Sequence, residues 1–566
     1  VNGQIMPPVM GAAAFLMVEY IGMPYVEIIK HAFLPAAISY IALLYIVHLE
    51  ALKLGLQPIG SAQPKPWLRR LTGFAFGAAL ISGISLAVYY GLGWLKPALG
   101  DYALPGIGAL LAVVYLGLLK IAASVPVLPP EDPNAPLEEL PQTRAVLLSG
   151  LHFLLPVVVL VWCLMIERLS PGLSAFWGSV MLVIILLTQR PLLSWMRRDG
   201  SHDHGTFIDG VIDLREGLIA GARNMIGIGI ATAAAGIIVG AVSQTGVGLV
   251  LADLVELLSM GNLLLMLILV AVFSLILGMG LPTTANYIVV SSLLAPVVVA
   301  LGQQNGLIVP LIAVHLFVFY FGIMADVTPP VGLASFAAAA VSKGDPIKTG
   351  LVAFFYSLRT AALPFLFIFN TDLLLIDVDF WHGVIIFIVA TVAMLIFAAG
   401  TQGFFLVRSR LYESALLLLV AFTLFRPGFW MDMLHDPYQE VPPAELAQAL
   451  DGVEDGSSLR LRILGENAVG DPREFTVLLP VPDGASGQAR LEKLGLNLYE
   501  EGDKVLVDSV TFGSLAADAG LEFDQQILSV RAPTDRWMKE LMWIPGFLLF
   551  GLVVLLQRRR KLAQTA

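Results

Sequence analysis

The strongest candidate for chemistry in this sequence is one carboxylate inside an apolar segment, Asp326, which is followed by the string VTPPVGLASF. An ionisable side chain at membrane depth is costly and normally faces a cavity or a partner. Pro329 and Pro330 lack an amide donor, so they are expected to leave carbonyls unpaired, and Thr328 adds a hydroxyl before Gly332. These oxygens predict a site for an alkali cation at Asp326 and Thr328, at a break in the helix. The alternative is an aspartate that only caps the broken helix.

A second cluster of polar groups lies in the segment LGMGLPTTAN, residues 277–286. It combines residues that disfavour a helix with hydroxyl and amide side chains: Gly278, Gly280, Pro282, Thr283, Thr284 and Asn286. Non-helical backbone at membrane depth is tolerated only where protein buries it or a watery cavity adjoins it. The surrounding apolar stretch, 263–301, is long enough for two short passes. We therefore predict a re-entrant hairpin with this tip in the binding site, the alternative being a kinked ordinary helix.

The sequence repeats itself at an offset of 322 residues. The string PPV at Pro7 and Pro8 recurs at Pro329 and Pro330, and Gly22 and Pro24 fall on Gly344 and Pro346. Gln4 takes the place of Asp326, and Gly11 lies in the corresponding break. The flanking basic loops place the two copies in opposite orientations. Inverted repeats with broken helices indicate the mid-membrane site of a secondary transporter, so Pro7, Pro8 and Gly11 join the candidate residues. A chance match of apolar text is the alternative.

The repeat also predicts that an N-terminal part is missing from the given chain. A first-copy partner of the hairpin would lie before Val1, and the sequence starts directly on apolar text rather than with Met.

The composition of the chain is that of a polytopic membrane protein. Of 566 residues, 57% are hydrophobic and 13% charged, with a mean hydropathy of +0.82, whereas soluble domains carry about 25% charged residues. The net charge is −10, which argues against a nucleic-acid partner. The single cysteine, Cys163, excludes an intrachain disulfide. A phosphate-binding GxxxxGK[ST] motif and an HExxH motif are both absent from the sequence, so we expect no enzyme and no nucleotide-driven pump.

Hydropathy and basic loops give the topology. Apolar spans are predicted at 31–50, 71–95, 104–124, 145–166, 173–189, 222–250, 349–369, 383–406, 411–426 and 541–557, with interrupted spans at 5–25 and 307–341. Loops rich in Lys and Arg are expected in the cytoplasm, as is the basic C-terminal tail. The acidic stretch 431–540, with 21 acidic and 9 basic residues, then lies on the periplasmic side.

These features predict six regions. Residues 1–50 end the first inverted repeat, 51–205 form connecting helices, and 206–370 form the second repeat with the hairpin as the transport core. Residues 371–430 form further transmembrane helices, 431–540 the acidic domain, and 541–566 the last helix and tail. The fold class is thus an all-α polytopic membrane protein with a re-entrant hairpin and a small, mostly β C-terminal domain.

Other polar residues are weaker candidates. Arg359 lies in the span after the second break and is either a substrate counter-ion or a structural residue. His202 and His204 are spaced so that they could chelate a metal, but a solvated loop is the simpler interpretation. We therefore predict no cofactor and no metal site beyond the alkali cation, for example Na⁺, at Asp326 and Thr328.

The sequence pattern of the acidic domain predicts short strands that are separated by Gly, Pro and Asp. Its segment 507–530 resembles the second half of a PDZ fold, although Asp524 and Gln525 replace the usual Gly-Asp pair. The peptide-binding loop of that fold is not recognisable. Peptide capture and structural docking are both open for this domain.

The strings LGMGLPTTANYIV, HLFVFYFGIMADVTPPVGLASFAAAAVSKGDP and AAAGIIVGAVSQTG resemble the large membrane subunit of tripartite ATP-independent periplasmic (TRAP) transporters. In particular, the sequence resembles fused permeases that accompany TAXI-type binding proteins. It implies an elevator-type, sodium-coupled secondary transporter in the bacterial inner membrane that receives an organic acid from a periplasmic binding protein. It also implies that the hairpin 278–286 and the break 326–332 form the sodium and substrate sites.

We therefore predict, from the sequence and this resemblance, a transporter that couples sodium entry to the uptake of a carboxylate. The alternatives are a passive channel for small anions on the same scaffold and, more weakly, a peptidase-associated factor whose C-terminal domain presents peptides.

Overall fold

In a computed structural model of the full chain, the structure describes residues 2–7, 10–56, 72–73, 77, 83, 90–91, 93–94, 97–126, 143–197, 207–245, 250, 254–255, 257–260, 262–278, 283–304, 307, 309–329, 332–453, 456–466, 472–484, 486–502, 504–534 and 536–565. These residues form two compact units. One unit comprises Val1–Gly55 with Ile228–Ala566, and the other Leu56–Gly227.

The chain is mainly helical. The helices before the C-terminal domain are α1 (Asn2–Ile5), α2 (Ala12–Ile21), α3 (Tyr25–Lys53), α4 (Ala103–Ala123), α5 (Thr143–Gly150), α6 (Leu155–Met165), α7 (Pro171–Arg197), α8 (Phe207–Thr245), α9 (Leu263–Gly278), α10 (Thr283–Gln304), α11 (Leu311–Ala325), α12 (Leu333–Ser342), α13 (Pro346–Phe369), α14 (Phe380–Gln402), α15 (Leu411–Phe425) and α16 (Pro427–Leu434). Among the described residues, eight helical stretches are long and apolar enough to cross a membrane, which confirms a multi-pass membrane protein.

Three predicted spans differ from the observed helices. The span 145–166 is divided by a 3₁₀ turn, Leu151–Leu154, because Pro156 at the start of α6 cannot continue the hydrogen-bond ladder. The span 222–250 overlaps α8, which begins earlier, at a polar stretch whose Asp213 pairs with Arg190 at 2.6 Å, and which ends at Thr245. The span 411–426 bends by 80° into α16. Most of the predicted span 71–95 lies outside the described residues.

The two copies of the repeat adopt matching local structures. Helices α2 and α12 each have ten residues, and each ends at a left-handed residue, Gly22 with φ 71° and Lys343 with φ 55°. A proline then marks the start of each following long helix: Pro24 precedes α3 and Pro346 begins α13. Both predicted interruptions are present, between α1 and α2 and between α11 and α12. The repeat in the sequence therefore corresponds to a repeat of local structure.

The two repeats are joined by Arg359, a buried residue of α13. Its Nη2 donates to Asn2 Oδ1 at 3.0 Å and its Nε to the Ser39 carbonyl of α3 at 3.2 Å, while Nη1 donates to the Tyr356 carbonyl. The Ser39 and Thr360 hydroxyls also bond each other, at 3.3 Å. Since no described acidic side chain pairs with Arg359, the structure favours the structural interpretation of this residue over the counter-ion.

The C-terminal domain contains a six-stranded antiparallel sheet. Its strands are β1 (Tyr438–Val441), β2 (Ser458–Glu466), β3 (Pro472–Pro480), β4 (Leu496–Glu501), β5 (Lys504–Val510) and β6 (Gln526–Pro533). The order is β3-β2-β6-β5-β4, with β1 also paired to β6. Short helices α17 (Leu446–Asp451), α18 (Gly487–Leu494) and α19 (Leu515–Asp518) complete the domain, and the final helix α20 (Trp543–Thr565) follows it. The predicted β domain is confirmed, with a core of Leu, Val and Ile from the sheet and α17 to α19.

A buried ion pair fastens α20 to α15 at the basic end of the two helices. Glu413 is 1% exposed and accepts from Arg560 through both carboxylate oxygens, at 2.7 and 2.9 Å. Gln557 Nε2 and the Arg410 amide donate to the same carboxylate, at 3.1 and 2.9 Å. This bidentate ion pair, in which both carboxylate oxygens accept hydrogen bonds, fixes α20 against α15.

Replacing Arg359 with Ala should lower the free energy of unfolding by about 3 kcal/mol, because two or more hydrogen bonds from a charged donor are lost in a buried place. The measurement is equilibrium unfolding of the full chain in detergent micelles. Lys348→Ala, an exposed change on the same helix, is the control. An Arg359→Ala protein of unchanged stability but raised substrate KM would instead assign Arg359 to the substrate.

Replacing Glu413 with Ala should cost about 3–5 kcal/mol, because it leaves the Arg560 guanidinium without its partner. The double variant Glu413→Ala/Arg560→Ala should recover part of that loss, since both buried charges are then gone. Unfolding of the four proteins gives the coupling energy. Additive losses would show that the two side chains act independently.

Candidate functional site

The two arms of the predicted hairpin, α9 and α10, meet at Gly278 and Asn286. A side chain at Gly278 would collide with the Asn286 amide and with Ala325 of α11, so only glycine fits where the three helices converge. Asn286 is fully buried, and its Nδ2 donates to the Ser274 carbonyl of α9 at 3.2 Å. The hairpin therefore contacts the last turn of α11, immediately before Asp326.

At the second break, the backbone carbonyls are paired, contrary to the prediction. The Thr328 amide donates to the Ala325 carbonyl at 3.2 Å, and the Ala334 amide reaches back across the break to the Asp326 carbonyl at 3.0 Å. The Ser335 hydroxyl donates to the Val327 carbonyl at 3.2 Å. The chain beyond the break thus replaces the amide donors that the prolines lack. Among the described residues of the break, the carbonyls of Ala325, Asp326, Val327 and Thr328 are thus paired.

The side chains of the two breaks meet each other. The side chain of Gln4, the residue that the repeat aligns with Asp326, lies beside the Asp326 carboxyl group. Gly11 lies against Gln4, because its amide donates to the Gln4 carbonyl at 2.8 Å. Among the described residues, no backbone amide donates to the Asp326 side chain, so no helix cap formed by this carboxylate is observed there.

Two buried oxygens near this meeting point lack a hydrogen-bond partner. They are Gln4 Oε1 and Asn286 Oδ1, one from the first break and one from the hairpin. A buried amide oxygen normally accepts at least one hydrogen bond, and leaving it without one is costly. Both oxygens, together with the Asp326 carboxylate, are hard ligands of the kind that alkali and alkaline-earth cations prefer. Thr328 donates its hydroxyl proton to the Met324 carbonyl at 2.7 Å, which leaves its oxygen lone pairs free to act as a further ligand.

Sequence reasoning missed a second polar pair in the hairpin. Tyr287 follows Asn286 on α10, and its hydroxyl bonds His315 Nδ1 of α11 at 2.7 Å, with both side chains buried. Tyr20 of α2 packs against both rings at 6.1 Å. Tyr287 therefore ties α10 to α11 while Asn286 ties α10 to α9. The only available signal was the presence of His and Tyr in apolar text.

Several candidate residues cannot be placed. Gly280, Pro282, Pro330 and Pro8 lie outside the described residues, as do His202 and His204. Thr283 and Thr284 lie in the first turn of α10, directly after the hairpin tip, and are half-buried. Pro7 is buried next to the first break. Within the described part of the chain, His, Cys, Asp and Glu form no group of three that could hold a metal, and Cys163 is a buried free thiol.

Comparison with protein-family models gives two matches. Residues 383–563 match a domain of unknown function, DUF3394, which covers α14 to α20 and the β domain. Residues 1–382 match the model described as tripartite ATP-independent periplasmic transporter, DctM component. No curated protein and no solved structure matches the chain. The DctM model covers the repeats, the hairpin and both breaks, and more than half of the chain. The chain therefore belongs to the DctM family, the large membrane component of TRAP transporters, which are secondary transporters of the bacterial inner membrane that work with a periplasmic binding protein.

Proposed function

We propose that this chain couples the entry of sodium to the uptake of an organic acid that a TAXI-type periplasmic binding protein delivers, by an elevator movement of the transport core. The proposal rests on two observations: the Gln4 side chain lies beside the Asp326 carboxylate, and the Asn286 amide lies at Gly278 next to Ala325, with the Gln4 and Asn286 side-chain oxygens both unpartnered. Asp326 supplies a negative charge to a cation, and the neutral oxygens complete the ligand set without raising the affinity so far that release becomes slow.

The arrangement of the helices supports a site for an anion beside that cation. Helix α12 begins at the second break and α2 at the first, so the amide ends of two short helices adjoin the Asp326 cluster. Helix N-termini attract anions through their free amides and dipole. A bound cation would add to that attraction. Binding of sodium and of a carboxylate would then favour each other, which is the condition for coupled transport.

The two repeats support the elevator part of the proposal. Helix α3 packs against α14, and α13 packs against α11 and α12, so each long helix connects a broken helix to its surroundings. An elevator movement requires one part of the protein to carry the site as a rigid body against the rest, and rigid-body movement of one repeat or bundle is typical of transporters built from inverted repeats.

Replacing Asp326 with Asn should abolish accumulation of the substrate, with initial uptake falling at least 100-fold, because the charge that holds the cation is lost while the shape is kept. The measurement is uptake by proteoliposomes that contain the full-length permease, with its binding protein and an inward sodium gradient. Asp345→Asn is the matched control, since Asp345 only caps α13, by accepting from the Lys348 amide at 2.7 Å. If Asp326→Asn lost no more uptake than the cap variant, Asp326 would be a cap as well.

Replacing Asn286 with Ala should raise the sodium concentration for half-maximal uptake about tenfold, equivalent to about 1.4 kcal/mol of ion binding. The substrate KM at saturating sodium should change much less. Asn370→Ala is the control, because the Asn370 amide likewise donates to a backbone carbonyl, that of Phe425 at 2.9 Å, away from the breaks. An equal effect of both variants would remove Asn286 from the ion site.

The same proteoliposomes separate the proposal from a passive channel. A coupled transporter accumulates substrate above equilibrium only with sodium and the binding protein present. Equilibration that ignores the sodium gradient would overturn the proposed function and the ion site with it.

A further inference from the structure

One end of the β domain exposes aromatic side chains on two adjacent loops. The loop 511–514 follows β5 and the loop 520–525 precedes β6. These strands are antiparallel, with Leu506 opposite Gln526, so the loops lie side by side. The Asp524 amide donates to the Val507 carbonyl at 3.0 Å, which fixes the second loop against β5. We call this end, with Tyr499 of β4, Asp508, Phe512, Phe523 and Asp524, the aromatic end.

The aromatic side chains here project from a well-packed domain. Phe512 is fully exposed and Phe523 is 70% exposed. Val507, Leu521 and Ile527, which neighbour these loops along the chain, are buried in the domain core. The exposure therefore does not arise from a loosely packed region. Large aromatic side chains held in water on ordered loops are typical of surfaces that bind another protein.

The aromatic end is also the most acidic part of the domain. Residues 496–525 contain seven acidic and one basic residue, which is half of the net negative charge of the whole domain. Asp508, Asp524 and Glu501 lie close enough to the Tyr499 hydroxyl to act on it electrostatically. A mixed aromatic and acidic surface complements Lys and Arg, because cations bind both carboxylates and the faces of aromatic rings.

The two edges of the sheet have different neighbours. At one edge, β3 contacts the hairpin helix α10 and the short helix α19. At the other, β4 ends the strand order and pairs only with β5 among the described residues. The exposure of Phe512 and Phe523 shows that the described part of the chain leaves the aromatic end uncovered. An acidic surface is also repelled by anionic lipid headgroups, which argues against a seat on the membrane.

We infer that the aromatic end is a docking surface for a basic face of the soluble substrate-binding protein. This inference rests on the proposed function only for the identity of the partner and for the side of the membrane. The contact between β3 and α10 would place the docked binding protein next to the hairpin that receives its substrate.

The test measures binding and transport separately. The full-length permease in lipid nanodiscs is titrated with its purified binding protein, for the wild type and for the variant Asp508→Lys/Phe512→Ser/Phe523→Ser. The variant should raise Kd at least tenfold, and wild-type binding should weaken as salt is added. Glu440→Lys is the charge-matched control. Glu440 lies on β1, opposite Arg531 near the other end of β6. Its replacement should leave Kd within about twofold.

Each outcome decides the inference. An unchanged Kd in the triple variant, no measurable wild-type binding, or an altered oligomeric state in place of altered binding would overturn it. A raised Kd in the triple variant, with thermal unfolding unchanged, supports it. If binding depends on the aromatic end but uptake ignores sodium, the docking surface stands and the proposed coupling fails.

Discussion

The structure depends on one constraint, that every backbone amide and carbonyl removed from water must find a partner inside the protein. Both repeats interrupt a helix within apolar text, and the second shows how the constraint is met. Residues beyond the break reach back, as the Ala334 amide does to the Asp326 carbonyl and the Ser335 hydroxyl to the Val327 carbonyl. Once the backbone is satisfied in this way, the side chains of Asp326 and Gln4 are free to face each other.

The same constraint explains why Arg359 belongs to the scaffold. A guanidinium has five donors and no acceptor, so in an apolar interior it must be surrounded by oxygens. Asn2, Ser39 and Tyr356 supply three of them from three places in the two repeats. The Arg359 guanidinium, held by these oxygens, fixes the two copies of the repeat against each other. A mobile substrate carboxylate would have to displace those partners to reach it.

Much of the fold and part of the site could be predicted from the sequence. The breaks, the repeat and the β domain followed from Pro and Gly placed within apolar text and from a change in composition, both of which are local signals. The paired carbonyls at Asp326 could not be foreseen, because their donors lie up to eight residues away, across the break. The repeat aligns Gln4 with Asp326, but no local pattern predicts that these equivalent residues lie beside each other. The Tyr287–His315 pair needs the packing of α10 on α11, which the sequence does not contain.

The pairing of the backbone also bears on how a transporter releases its ion. Carbonyl oxygens that are held in a rigid ladder form a fixed cage, whereas carboxylate and amide side chains can turn away when the helices carrying them move. Gln4 belongs to the first repeat and Asn286 to the hairpin of the second. Arg359 fixes the two copies of the repeat against each other through Asn2 and Ser39. In the proposed site, the cation would therefore leave when these side chains turn away from it, while the backbone of the breaks would keep its hydrogen bonds throughout.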